Sequence, residues 1–442
     1  MKQVAQRVFR ETLAAIDIPA TLQRKLARNG SQIRAGDVSV DLQDFASIVA
    51  IAYGKASFAM AEGLAQVLAP EFRTEGILVV PAPPPRDLPG WQTFVGGHPV
   101  PNAASLAAGR AILDRLGRCD DRTLVFFLVS GGGSSLVEFP LDPGVTLEDF
   151  GMLHAALVTC GAPISEVNAV RKHLSATKGG RLAAAAPRSL KFTLAISDVP
   201  PGEESALASG PTLPDPSTTQ DAERVAQRYG LIPRLPASLR VAFEDHSLSE
   251  TPKADDAAFA RSHFELLLGV HDLMHAAHHA CEAEGSACIC DDATDNWPVE
   301  EAADYLLALL QAQLEAEEES GRARFVAVLA DGELSSPVTG NGVGGRNSAF
   351  VLACVPKIAG KNITVMSAGT DGIDGNSPAA GAVADGETLA RARAAGLDPA
   401  DFFRRSDAYN FFLRLGDAII TGPTGNNLRD LRILLAHPSP RS

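Results

Sequence analysis

The sequence predicts an α/β protein in which a doubly wound parallel sheet is followed by a second α/β domain. Three observations carry this reading. Short apolar runs rich in β-branched and aromatic residues recur along the chain, amphipathic helical patterns lie between them, and most of the runs stop at loops of glycine and small polar residues. Strands that alternate with helices form right-handed βαβ crossovers, and so build parallel sheets buried on both faces. At 442 residues the chain exceeds a common single-domain length. The proline-rich, charged stretch 213–258 (LPDPSTTQ, LIPRLP, LSETPKADD) marks the boundary, so domains of 1–250 and 251–442 are expected.

The first forty residues read as helical, with a break at Asn29-Gly30 and a short strand at 38–40. A strand at 48–53 then runs into Gly54, Lys55 and a helix with apolar Phe58, Ala61, Leu64, Ala65 and Leu68. A second strand at 76–80 leads into PAPPP and a loop with Trp91, and Pro101-Asn102 opens the next helix. The most apolar strand, 124–130, halts at Gly131, Gly132 and Gly133, followed by Ser134 and Ser135. Three glycines there permit positive φ and can point successive N–H groups at one anion, though a tight strand-to-helix turn asks for the same residues.

A helix is expected over 146–159. Beyond it Arg171, Lys172, His173, Lys178 and Arg181 crowd into eleven positions of an acidic chain. They suit phosphate or carboxylate, or a solvated helix face, and the Gly-Gly after Lys178 argues against a plain surface helix. A strand at 192–196 ends at Asp198, followed by a long glycine- and proline-rich loop through Ser209-Gly-Pro-Thr212. In open α/β sheets ligands sit beyond the carboxyl ends of the strands, where Lys55, Gly131 to Ser135 and Asp198 all fall.

The second half reads as a helix (271–284), a strand (287–290), a long helix (299–318) and a strand ending near Ala330. A loop with Glu333, Gly340, Gly342, Gly344 and Gly345 then reaches Arg346, Asn347 and a helix. A strand at 363–367 is capped by Asp371 and Asp374, and the tail carries a glycine-rich loop at 422–427. Gly340, Gly342 and Gly345 formally match a dinucleotide fingerprint, but about ten residues separate them from the strand end where the first glycine belongs. No G-x-x-x-x-G-K-[ST] loop occurs.

Net charge is −14 with scattered basic residues, which argues against a nucleic-acid partner and for a small-molecule substrate. No apolar run reaches the roughly 18 residues a spanning helix needs, and the amino terminus lacks the apolar core of a secretory signal. Six cysteines without a disulfide framework suit a cytoplasmic protein. His271, His275 and His278, with Cys281, Cys288 and Cys290, could hold a soft metal, or form a polar helix face before a buried strand; the spacing fits no standard zinc pattern.

The recurrence of strand ends bearing an acid, a cation or a glycine nest is what phosphoryl transfer requires. The segments SGGGSSL, NAVRKHLSATKGGRLA, ISDVPPGEESALASGPT, GVGGRN, SAGTDGIDG with AAGA, and TGPTGNN resemble, in order, the motifs of the class II glycerate 2-kinases. That resemblance implies an amino-terminal Rossmann-like domain, a carboxyl-terminal domain with a MOFRL region at about 322–435, and an active site in the cleft between them. It implies ATP- and Mg²⁺-dependent phosphorylation of D-glycerate at the 2-hydroxyl, and leaves room for a homodimer. Carried over by position, Lys55, Asp198 and Arg346 are the expected catalytic residues. Gly131, Gly132, Gly133, Ser134, Ser135, Lys178, Glu333, Gly344, Gly345 and Asn347 are expected to bind the cofactor, and Asp198, Asp371 and Asp374 the metal.

Two departures stand out. Gly332-Glu333-Leu334-Ser335 replaces the family's Gly-Glu-Thr-Thr, and Asn376-Ser377-Pro378-Ala379-Ala380 replaces Pro-Thr-Asp-Ala-Ala, which leaves a related sugar acid open as acceptor. Some members carry the name hydroxypyruvate reductase. A reductase needs a dinucleotide fingerprint at the first βα turn, and Tyr53-Gly-Lys-Ala-Ser57 lacks it. A non-catalytic sensor of a phosphorylated ligand would keep the glycine nests without needing Asp198, Glu333 and Asp371.

Overall fold

The computed structural model describes residues 1–200, 202–320 and 324–437; the expected start of the MOFRL region at 322 lies outside the described residues. The chain divides into two compact units, one of residues 18–269 and one of residues 1–17 with 270–442. The opening helix α1 (Lys2–Ala15) belongs to the second unit.

After a helix at Ile18–Lys25, the first unit has a small antiparallel sheet, with β1 (Leu26–Asn29) and β2 (Gln32–Ala35) where helix was expected and β3 (Val38–Asp41) at the expected short strand. Two-residue loops starting with Gly30 (φ 59°) and Gly36 (φ 55°) join the strands. Glycine at positive φ is the hairpin signal, and it outweighs helix propensity over so short a stretch. A six-stranded sheet follows: β4 (Ser47–Tyr53), β5 (Thr74–Val80), β6 (Trp91–Val95), β7 (Thr123–Ser130), β8 (Leu190–Ile196) and β9 (Ser262–Leu268). All its pairings are parallel, in the order β6-β5-β4-β7-β8-β9. That is the doubly wound order, with the switch point between β4 and β7. Every residue of β7 is buried, as its unbroken apolar run requires, and its odd-numbered residues Val125, Phe127 and Val129 pack with Val49, Ile51 and Tyr53 of β4.

Two of these strands were hidden in the sequence. Residues 91–95 form an edge strand whose Trp91 lies over Gly76, so close that a Cβ there would stand 2.2 Å from the indole. Residues 262–268 form the other edge, which carries the first unit past the expected boundary at 250, to residue 269.

The second unit contains α2 (Val270–Ala283), β10 (Ala287–Asp291), α3 (Val299–Glu319), β11 (Val326–Asp331), α4 (Arg346–Cys354), β12 (Ile363–Gly369), β13 (Gly381–Asp385), β14 (Ala418–Ile419) and β15 (Asp430–Ala436). Its sheet runs β10-β11-β15-β12-β13-β14, parallel only between β10 and β11. The last strand of the chain therefore lies in mid-sheet, antiparallel to both neighbours and wholly buried. α1 joins this unit through Arg7 to Glu284 (2.7 Å) and Lys2 to Asp417 (2.8 Å). Among the described residues no helix is long and apolar enough to cross a membrane.

Candidate active site

In the first unit the loops after β4 and β7 are laced together at the switch point. The Lys55 N–H donates to the Gly131 carbonyl (2.9 Å) and the Ala56 N–H to Ser130 Oγ (3.0 Å). Gly54 has φ 121°, and a Cβ on it would lie 2.2 Å from Ser130 Oγ, so the turn that presents Lys55 admits only glycine. Gly132 is left-handed (φ 78°), and its Cβ would stand 3.2 Å from both the His98 ring and Lys55 Cγ. Lys55, His98 and the glycine loop are thus immediate neighbours. Asp198, half-buried, lies two residues past β8 on the same edge. Ser134 Oγ meets Ser209 Oγ (2.8 Å), and Ser209 donates to Asn168 Oδ1 (3.1 Å), which ties the glycine loop to the Ser209-Gly-Pro loop.

Behind the loop lies a cavity of about 200 Å³, bounded by Gly132, Ser134, Ser135, Glu138, His154, Arg171 and Lys178. The five clustered cations of 171–181 divide into two groups. Lys172 pairs with buried Asp215 (3.0 Å), His173 Nε2 lies 3.0 Å from Glu250 Oε1, and Arg181 donates to the carbonyls of Ser249 (3.0 Å) and Glu250 (3.1 Å). These three hold the fold. Lys178 and Arg171 face the cavity instead. Lys178 Nζ donates to Glu138 Oε2 (2.7 Å) and to the Val137 carbonyl (3.3 Å), and burial lowers its pKa against the pull of Glu138. Arg171 meets His154 Nδ1 (3.2 Å); burial, then the Arg171 charge, lowers the His154 pKa, so a neutral imidazole accepts that bond.

In the second unit Arg346 opens α4. Its guanidinium contacts Glu333 Oε1 (2.7 Å) and donates through Nε to Asp430. Burial opposes its charge, but Asp430 and Glu333 together push its pKa up. The Glu333 N–H donates to Asp295 Oδ1 (2.8 Å), and Asp295 also meets Arg429 (2.6 Å). Arg346 and Glu333, separate in the sequence reading, form one pair.

Asp374 is buried against the start of α4, where its carboxylate accepts the N–H groups of Asn347 and Ser348 (2.9 Å each) and the Ser348 hydroxyl (2.6 Å). A Cβ on Gly345 would lie 2.3 Å from Asp374 Oδ1. The N–H groups of Val343, Gly344 and Gly345 go to Asp407, Asn376 and Ser348. The place where Gly344, Gly345 and Asn347 were expected to receive a phosphate is thus filled by the protein's own carboxylate. This follows from a helix terminus needing an anionic cap.

The three expected metal carboxylates divide between the two units. Asp374 is committed to α4, half-buried Asp371 accepts the Ile373 N–H (3.0 Å), and Asp198 stands in the first unit. Among the described residues no three His, Cys, Asp or Glu are placed to hold a metal, the histidines of α2 included. There His275 and His279 meet edge-on (5.1 Å), and Cys290 lies 3.7 Å from His278 Nδ1.

Gly340 and Gly342 have a packing reason to be glycine: a Cβ on either would lie 2.4–2.6 Å from the Arg405 carbonyl. Sequence reasoning missed Glu138, His154, His98 and Asp430. Glu138 alone left a signal, as a single acid in the apolar run LVEFPL.

Residues 4–244 match a family model described as a domain of unknown function, DUF4147, and residues 326–430 match the MOFRL family. A D-glycerate 2-kinase of Thermotoga maritima is 33% identical over 87% of this chain and 90% of its own. A protein of Agrobacterium vitis named "Putative hydroxypyruvate reductase" is 36% identical over 88% of this chain and 98% of its own. The crystal structure of the Thermotoga maritima glycerate kinase superposes with a TM-score of 0.81 at 30% identity, covering 98% of this chain and 99% of that one.

Proposed function

This chain belongs to the family that joins a DUF4147 region to a MOFRL region and contains the glycerate 2-kinases, and from that premise we propose that it transfers the terminal phosphoryl group of ATP to the 2-hydroxyl of D-glycerate, giving 2-phosphoglycerate and ADP. The observation that carries the mechanism is the switch-point edge of the first sheet, where Lys55 is pinned to the glycine loop and Asp198 leads from the next strand but one. Lys55 balances the charge that develops on the transferring phosphoryl group. The Asp198 carboxylate orients the 2-hydroxyl and takes its proton as the oxygen bonds to phosphorus and the bond to the leaving ADP oxygen breaks. In the second unit Arg346, held in a fixed plane by Glu333 and Asp430, is a fork of the kind that takes phosphate oxygens.

The donor set does not fit a protein-built metal cage. Mg²⁺ carried by the nucleotide, which keeps waters and phosphate oxygens, needs only one or two carboxylates, and Asp198 of the switch-point edge is the candidate. When bound, that ion neutralises phosphate charge. The six free cysteines suit a reducing cytoplasm.

The hydroxypyruvate reductase reading is disfavoured, because the first βα turn presents Lys55 rather than a glycine fingerprint, and Gly340 and Gly342 serve packing. Incubation with ATP, Mg²⁺ and D-glycerate, in parallel with hydroxypyruvate and NADH or NADPH, decides between them. ADP and 2-phosphoglycerate should appear in the first. Nicotinamide oxidation in the second, with no ADP in the first, would reverse the assignment.

A further inference from the structure

The cavity behind the glycine loop holds more positive than negative charge. Glu138 is saturated: its Oε2 accepts from Lys178 Nζ (2.7 Å), and its Oε1 accepts from the Ser175 hydroxyl and the Phe139 N–H (3.0 Å). His154 is the neutral partner of Arg171. That leaves the Arg171 guanidinium, which is always charged, with no carboxylate within 4.0 Å among the described residues. Burial lowers the Arg171 pKa against the field of Glu138, a carboxylate already paired with Lys178, so the guanidinium is costly as it stands, and its fork matches a carboxylate bidentately. The opening of about 200 Å³ is below the roughly 300–1,000 Å³ of sites that enclose drug-sized ligands, so it suits a small acid and not a nucleoside triphosphate.

We propose that this cavity is the acceptor-acid subsite, with Arg171 clamping the substrate's carboxylate, Lys178 beside it, and the hydroxyls of Ser134 and Ser135 at its rim. The inference rests on the kinase reading above and gives the glycine loop a role: its inner side meets the acid and not the nucleotide. Specificity follows from the same geometry, since a neutral analogue would leave Arg171 unpaired.

The test compares wild type with Arg171→Met and Arg171→Lys, using D-glycerate and its neutral analogue D-glyceramide as acceptors. Arg171→Met should raise the KM for D-glycerate roughly 10- to 100-fold, the worth of a charged hydrogen-bond pair. The KM for ATP should stay within about threefold, and the preference for D-glycerate over D-glyceramide should collapse, with partial recovery in Arg171→Lys. A raised KM for ATP with D-glycerate unaffected overturns the proposal. Should Arg171→Met not fold, Arg171→Lys carries the same comparison through its lost bidentate geometry. If wild type proves inactive with D-glycerate, the kinase reading fails separately. The cavity is then judged by calorimetric titration of wild type and Arg171→Lys with D-glycerate, D-lactate and inorganic phosphate. Carboxylate binding that weakens in the variant sustains the proposal, and binding of phosphate alone, or of none of the three, ends it.

Discussion

Lys178 Nζ stands 2.7 Å from Glu138 Oε2, and neither side chain is more than 6% exposed. A buried pair of this kind contributes little net stability when intact, yet is expensive to break from one side.

Replacing Glu138 by Gln should therefore strand the Lys178 charge and cost about 3–5 kcal/mol. The double variant Glu138→Gln, Lys178→Met should recover most of that loss, because the unpaired charge goes with the lysine. Urea midpoints of wild type and the two variants measure both steps, and a double variant no more stable than Glu138→Gln would refute the account.

Lys55→Ala removes the cation placed at the switch point. Turnover should fall by more than tenfold, a barrier increase above about 1.4 kcal/mol, while the backbone N–H that donates to the Gly131 carbonyl is kept in the variant. Steady-state kinetics within tenfold of wild type would remove Lys55 from the mechanism.

Asp374 caps α4 through two N–H groups and a hydroxyl. Asp374→Ala leaves these donors buried and should cost about 2–3 kcal/mol. If Asp374 served as a metal ligand instead, the same variant would lose activity while keeping its thermal midpoint.

Glu250 sets part of the acid limb of stability. Burial raises its pKa, but bonds from Lys253, His173 and the Thr251 N–H win and bring it from 4.5 down to about 2. A depressed carboxylate stabilises the fold above its unfolded pKa, and that contribution disappears as pH falls from about 4.5 to about 2. Because the side chain is 45% exposed, solvent screening cuts the effect to on the order of 1 kcal/mol. Urea midpoints taken from pH 6 to pH 3 should fall more steeply for wild type than for Glu250→Gln.

Removing divalent metal with EDTA should leave the thermal midpoint within about 2 °C, since no three ligand side chains are gathered among the described residues, while abolishing ATP-dependent turnover. A large drop in the midpoint would reveal a resident ion.

The parallel sheet was readable because β4, β7 and β8 are buried on both faces and announce themselves as unbroken apolar runs. β6 and β9 lie at the edges, half-buried, and carry no such run. Lys55, Asp198 and the glycine loop were readable because they follow directly on strands. The Asp374 cap was not, because its partners lie 26 and 27 residues away and only the folded loop joins them. The same holds for Glu138: an acid three residues past the glycine loop acquires its meaning from Lys178, forty residues later.

The placement of α1 and β15 in one unit, at opposite ends of the chain, has a consequence for synthesis on a ribosome. Residues 18–269 can complete their sheet as soon as β9 emerges. The other unit cannot, because its central strand is made after every other strand of that sheet, and α1 must wait for residues 430–436 before the strands it covers are assembled. A nonsense codon between residues 270 and 430 would accordingly spare the first sheet and leave the second without its middle.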